Sequence, residues 1–113
     1  MLPAIGMIFR MAIDLNNNDR QTIDAKLERM LELINDYQNV QHFEFAMDIE
    51  LPKHASELRH VISHFSMSKS RGDIVKSAYR LGIKDGIDEQ YDINKIKFFI
   101  HDLKEMNQRG EHI

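Results

Sequence analysis

The 113-residue chain has no cysteine. That excludes a disulfide framework, a thiolate nucleophile and a zinc site built on cysteine, and it fits a protein of the reducing cytoplasm. Positive charge is also short: 15 Lys and Arg stand against 18 Asp and Glu, a formal net charge of −3. A chain whose main task is to coat nucleic acid carries a positive surplus, so any nucleic-acid surface here must be local. With two prolines and five glycines, the chain lacks the composition of a wholly disordered protein. Long apolar runs are missing as well. The opening MLPAIGMIFRMAIDL is interrupted by Arg10 and Asp14, well short of the roughly 20 residues that cross a bilayer, and it has no basic leader region. No membrane association is expected. The segment reads as a buried arm, or in part as sequence ahead of a later start at Met7 or Met11. There is no Gly-rich phosphate loop and no G-x-S-x-G elbow, so neither an enzyme nor a bound cofactor is expected.

What is present suits a small folded protein, with 42% hydrophobic and 29% charged residues. A chain this short often gains stability by association. Three segments can be drawn. In residues 1–40, the polar stretch DLNNNDRQ (14–21) marks a helix start, with Asn18 and Gln21, or Asp19 and Thr22, spaced to satisfy the first free amides. Ile23, Leu27, Met30, Ile34 and Tyr37 then recur at helical spacing, and Leu31 widens the stripe. That seam serves either a helix packed on its own core or a short coiled coil.

In residues 41–83 the period changes. QHFEFAMDIEL (41–51) places Phe43, Phe45, Met47, Ile49 and Leu51 on one face, and His42, Glu44, Ala46, Asp48 and Glu50 on the other. Strict alternation predicts a β-strand. A lone strand cannot satisfy its own amides and carbonyls, and no second strand of comparable quality exists in the chain, so pairing with another copy is expected. Pro52 ends the strand and suits a helix start. Ala55, Leu58, Val61, Ile62 and Phe65 form the next apolar stripe, SMSKS (66–70) interrupts it, and Ser70 with Asp73 has capping-box spacing. Ile74, Val75, Ala78 and Leu81 make a further helical face, with Gly82 as its stop. In residues 84–113, KDGIDEQYD reads as a linker. Asp92 is placed to cap a last helix through Ile93, Ile96, Phe99, Ile100, Leu103 and Met106, and NQRGEHI reads as a frayed tail.

The order of strand, proline, helix, polar turn and capped helix over residues 43–83 resembles the ribbon-helix-helix family of dimeric DNA-binding proteins. The resemblance rests on M-D-I-E-L-P-K (47–53), M-S-K-S (67–70) and I-V-K-S-A-Y-R-L-G (74–82). It implies a mainly α fold with one β-strand: a ribbon-helix-helix-like dimer core with additional N- and C-terminal helices. It also implies a homodimer on double-stranded DNA. Ser68, Lys69, Ser70 and Arg71 at the second helix start, with Lys53 after the strand, would hold phosphates, and Ala46, Asp48 and Glu50 would face the bases. Three features depart from the family pattern, the first being that the strand is internal, behind a long helix, rather than N-terminal. The ribbon face, with Glu44, Asp48 and Glu50, is acidic where such ribbons usually carry Arg, Lys, Thr, Asn or Gln. Ser66 stands in a turn that often has Gly. Two functions follow: a small dimeric DNA-binding regulator, such as a transcriptional repressor or a plasmid or phage DNA accessory protein, or a protein-binding adaptor or inhibitor that uses the same dimer scaffold and its acidic strand; apart from the resemblance, a plain helical-bundle interaction module with no ribbon is the third reading.

His60 and His64 lie four residues apart, with Glu57 one turn earlier and His54 nearby. Such a pair can chelate zinc, but there is no H-E-x-x-H arrangement and spacing fixes no third ligand. They are read as exposed helix-face histidines, and no metal is expected.

Overall fold

A computed structural model describes residues 4–37, 58–83 and 89–113. Among these residues there are five helices and no strand: α1 Ala4–Ile13, α2 Arg20–Tyr37, α3 Leu58–His64, α4 Lys69–Ile83 and α5 Glu89–Gln108.

The apolar opening segment is α1. Ile5, Ile8, Phe9 and Ala12 fall on one helical face and are buried. A polar loop follows, and Asp19 caps α2 by accepting a hydrogen bond from the Thr22 amide at 2.7 Å. That amide, and then the Thr22 hydroxyl, hold the Asp19 carboxyl below its usual range. The seam expected on α2 is buried through Ile23, Leu27, Met30 and Ile34.

Four helices close a ring. α1 packs against α2 and α4, and α5 packs against the same two helices. Neighbours run antiparallel. Phe9 meets Tyr79, with ring centroids 6.0 Å apart, while Arg71 reaches Ala12 at the other end of the pair. Across α4 and α5, Lys69 lies over Phe99 and Arg80 pairs with Asp92. Across α2 and α5, Arg20 meets Asn107 and Glu28 pairs with Lys104. One apolar cluster fills the middle, drawing Ile8, Leu27, Ile74, Val75, Ile96 and Ile100 from all four helices. The short α3 sits outside the ring against α4. Gly72 permits this approach: a Cβ there would stand 3.2 Å from Ile62 Cγ2.

This arrangement corrects the mainly α, one-strand fold with a ribbon-helix-helix-like dimer core. The described part of the chain is all helical. The expected strand, residues 41–51, lies outside the described residues. The physical reason is the destination of the α4 stripe. Ile74, Val75, Ala78 and Leu81 are buried in the ring formed with α1 and α5 of the same chain. The opening segment, read as an arm, is the helix that supplies one wall of this core.

Two helix ends share one motif. At the end of α3, Met67 donates to the Ile62 carbonyl and Ser66 to the Ser63 carbonyl, both at 3.1 Å. At the end of α5, Glu111 donates to Met106 and Gly110 to Asn107. Both are Schellman closures, which need a left-handed residue after the helix. Gly110 takes that role at φ 76° and Ser66 at φ 51°. The tail is docked where fraying was expected. The Ile113 side chain is buried, its carbonyl accepts from the Ser68 amide at 3.0 Å, and His112 Nε2 lies 2.6 Å from the Ser66 carbonyl.

Two outcomes follow. Ser66→Gly removes a left-handed strain while adding chain entropy to the unfolded state. Stability in urea should rise by a few tenths to about 1 kcal/mol. For Asp19, the folded pKa lies below the unfolded one, so its stabilisation is present above the unfolded carboxylate range and is lost as pH falls through the folded value. Asp19→Asn keeps a capping oxygen without the titration. The urea midpoint of the variant should therefore fall less than wild type between neutral and acid pH.

Candidate functional site

The first turn of α4 is where phosphate contacts were expected, and the structure turns most of it inward. Arg71 is only 2% exposed. Its Nε donates to the Ala12 carbonyl and its Nη2 to the Ile13 carbonyl, both at 2.7 Å. These are carbonyls at the end of α1, which no later turn of that helix can satisfy, so Arg71 is a C-terminal cap supplied by another helix. Burial pushes its pKa down to about 10, and the exposed Asp14 opposes this by its charge. Ser70 is buried too, and its hydroxyl donates to the Asp102 carboxylate on α5. The helix cap is Ser68, whose hydroxyl accepts from the Arg71 amide at 3.3 Å. The capping role expected of Ser70 therefore falls two residues earlier.

Lys69 alone of this group reaches fully into solvent. Its Nζ is 2.9 Å from Asp73 Oδ2 and 5.0 Å from the centroid of the Phe99 ring. Lys53 and the proposed reading face, Glu44, Ala46, Asp48 and Glu50, lie outside the described residues, as do His54 and Glu57. His60 and His64 sit on α3, with the His64 ring edge-on to Phe65 at 4.8 Å. Among the described residues no cluster of three metal-ligating side chains is assembled. Asp92, expected as the α5 cap, lies inside the first turn, fully buried. It is 3.5 Å from Arg80 Nη1, and neither carboxylate oxygen accepts a hydrogen bond.

The face that the sequence did not single out runs along α4 and α5. Phe98 is 66% and Tyr91 54% exposed, the two exposed large hydrophobic residues among those described. They are seven residues apart on one side of α5, a separation of about 10 Å along the axis. Phe98 stands edge-on to the half-buried Phe99, with centroids 5.2 Å apart at 86°. Lys95, between them, places its Nζ 5.2 Å from the Tyr91 centroid. On the neighbouring α4, Lys69, Lys76 and Arg80 follow at helical spacing, with Lys76 exposed and Arg80 partly so. A chain of negative net charge thus carries a local cationic surface around aromatic rings. The sequence carries this pattern as Y-x-x-x-K-x-x-F-F, but helical periodicity marks only Phe99, as part of the apolar stripe, and leaves Phe98 unmarked.

No family model matches this chain, and no curated protein or solved structure does either. Among the described residues no helix is long and apolar enough to cross a membrane.

The inward turn makes a direct prediction. Arg71→Ala strands two buried carbonyls and should cost about 2–4 kcal/mol in chemical denaturation. Lys69→Ala, at an exposed ion pair, should change stability by about 0.5 kcal/mol or less. Equal losses would show that Arg71 does not cap α1.

Proposed function

We propose that this chain is a small protein-binding module, an adaptor or inhibitor, that takes its partner across the α4/α5 face and performs no chemistry of its own. The observation that carries this reading is the exposure of Phe98 and Tyr91 on one stripe of α5. Aromatic residues are enriched at protein interfaces and anchor their binding hot spots. Lys76 and Lys95, beside Lys69 and Arg80 that are already paired with Asp73 and Asp92, set the complement: an acidic segment that offers apolar side chains to the rings. Opposite charge at the rim speeds encounter and rejects like-charged partners.

A second reading keeps the DNA-binding regulator. The same four cations support it, since a local basic surface is what a net-acidic DNA binder requires. Three observations weigh on the other side. Arg71 and Ser70 are withdrawn from the surface. Lys69 is already paired with Asp73. The net charge is −3.

Peptide display on the full chain, counter-selected on Phe98→Ser, separates the two readings. Enriched peptides should combine Asp or Glu with apolar residues at helical spacing. Their affinity should fall at least about tenfold with Phe98→Ser, and random duplex DNA should give no shift at low salt. The reading fails if no selected peptide depends on Phe98. It also fails if duplex DNA binds with a steep salt dependence that Lys69→Glu with Lys95→Glu abolishes.

A further inference from the structure

At the end of the ring where α1 passes into α2, α4 begins and the tail folds back, a cleft of about 210 Å³ opens. Its polar lining includes Arg71, Arg20, Asn17, Asn18 and His112, and Leu15 is on its wall. This volume is below the roughly 300 Å³ at which sites for drug-sized molecules begin, and it suits a small ligand or one end of a larger one.

The two guanidinium groups share a property. Arg71 spends Nε and Nη2 on backbone carbonyls, and no described residue engages Nη1. Arg20 donates to the Asn107 carboxamide at 3.0 Å, the Glu111 carbonyl at 2.6 Å and the Gly110 carbonyl at 3.0 Å. Every acceptor is neutral. The ion pairs among the described residues include neither arginine. Arg20 is exposed and Arg71 is buried, and a buried charge is ordinarily matched by an opposite one. For Arg71 the negative end of α1 supplies about half a charge of the complement. Asp14 and Asp19, the carboxylates of the adjoining loop, do not line the cleft, and Asp19 is already committed to Thr22. Lys26, with its Nζ 3.1 Å from Asn18 Oδ1, and Asp14, which acts on Arg71 by its charge, both stand outside the lining. Arg71 and Arg20 are thus the charged side chains of the cleft wall, and the main-chain oxygen of Ile113, which also lies on it, is taken up by the Ser68 amide.

We propose that this cleft binds a small oxyanion, the carboxylate or phosphate group of a small molecule, between Arg71 and Arg20. Arg71 keeps the N–H groups of Nη1 and Arg20 keeps its Nε–H for such a group. The exposed Asn17 carboxamide offers a further donor at the opening, whereas His112 spends Nε2 on the Ser66 carbonyl. Asn17 holds a left-handed backbone at φ 65°. Glycine can replace it without disturbing the loop.

The test is an amide NMR titration of the full chain with inorganic phosphate and, separately, with acetate, each against sodium chloride of equal ionic strength. Saturable shifts are expected at the amides of residues 15–18, Arg71 and His112. The anion that produces them identifies the source as phosphate or carboxylate. Arg20→Gln should weaken binding at least about tenfold. Since Arg20 also holds the tail, Asn17→Gly serves as the second variant: it should weaken binding by a smaller factor and leave the remaining spectrum unchanged. Phe98→Ser should bind the anion as wild type does. The proposal is overturned if neither anion gives saturable shifts beyond chloride up to about 50 mM, or if both Arg20→Gln and Asn17→Gly bind as wild type does.

Discussion

One guanidinium holds the architecture at its tightest point. The last carbonyls of α1 are buried against α4, where water cannot reach them, and a helix end without partners is costly. Arg71 crosses from α4 and satisfies two of them. The group loses hydration in doing so, which is the cause of its lowered pKa. The negative end of the α1 dipole and two short charge-assisted bonds offset that loss. The consequence extends beyond one cap. With α1 fixed across α4, Ile5, Ile8, Phe9 and Ala12 cover the α4 stripe from inside the same chain. That stripe then has no need of a second molecule.

The same commitment decides which surface remains for binding. Once Arg71 and Ser70 turn inward, the first turn of α4 keeps only Lys69 as an outward cation. The exposed groups with large contact area are instead on α5, where Tyr91 and Phe98 stand in water. Cations beside aromatic faces are favourable even at exposed sites, by about 0.5–1 kcal/mol, and the Lys95–Tyr91 and Lys69–Phe99 contacts are of that kind. They help fix the orientation of Tyr91 and Phe99 before any partner arrives. A pre-ordered ring loses less freedom on binding than a mobile one.

Periodicity made α2, α4 and α5 legible, because each alternates a buried stripe with charged residues at 3.6-residue spacing. It failed on α1 for a physical reason. Met7 and Met11 set apolar, half-buried side chains beside the buried face at Ile5, Ile8, Phe9 and Ala12, and Arg10 is the one exposed residue of the helix, so polar contrast is slight. The role of Arg71 was hidden differently. An arginine at a helix start has the same local sequence whether it meets a phosphate or the end of another helix. Only the position of α1, 58 to 59 residues away in sequence, distinguishes the two. The docked tail depends on similar long-range bonds, from Arg20 to residues 110 and 111. Ser66 is the converse case. Its place in a turn that favours glycine was readable, and its left-handed φ shows that the geometry was kept without the residue that adopts it most easily.

The α4/α5 face and the end cleft meet at a single turn, since Lys69 belongs to the first and Arg71 to the second. Coupling between two sites requires an element with two arrangements that both sites bias. This turn is tied on three sides: Ser68 to Ile113, Ser70 to Asp102 and Arg71 to α1. Moving it would break a buried charge-assisted bond on at least one side, at a cost of about 1.5–3 kcal/mol. Lys69 does not line the cleft, so an oxyanion there has no differential contact by which to move it. An anion in the cleft therefore adds to the stability of the folded chain while leaving the aromatic face as it was. On this geometry the two sites are energetically separate despite their closeness.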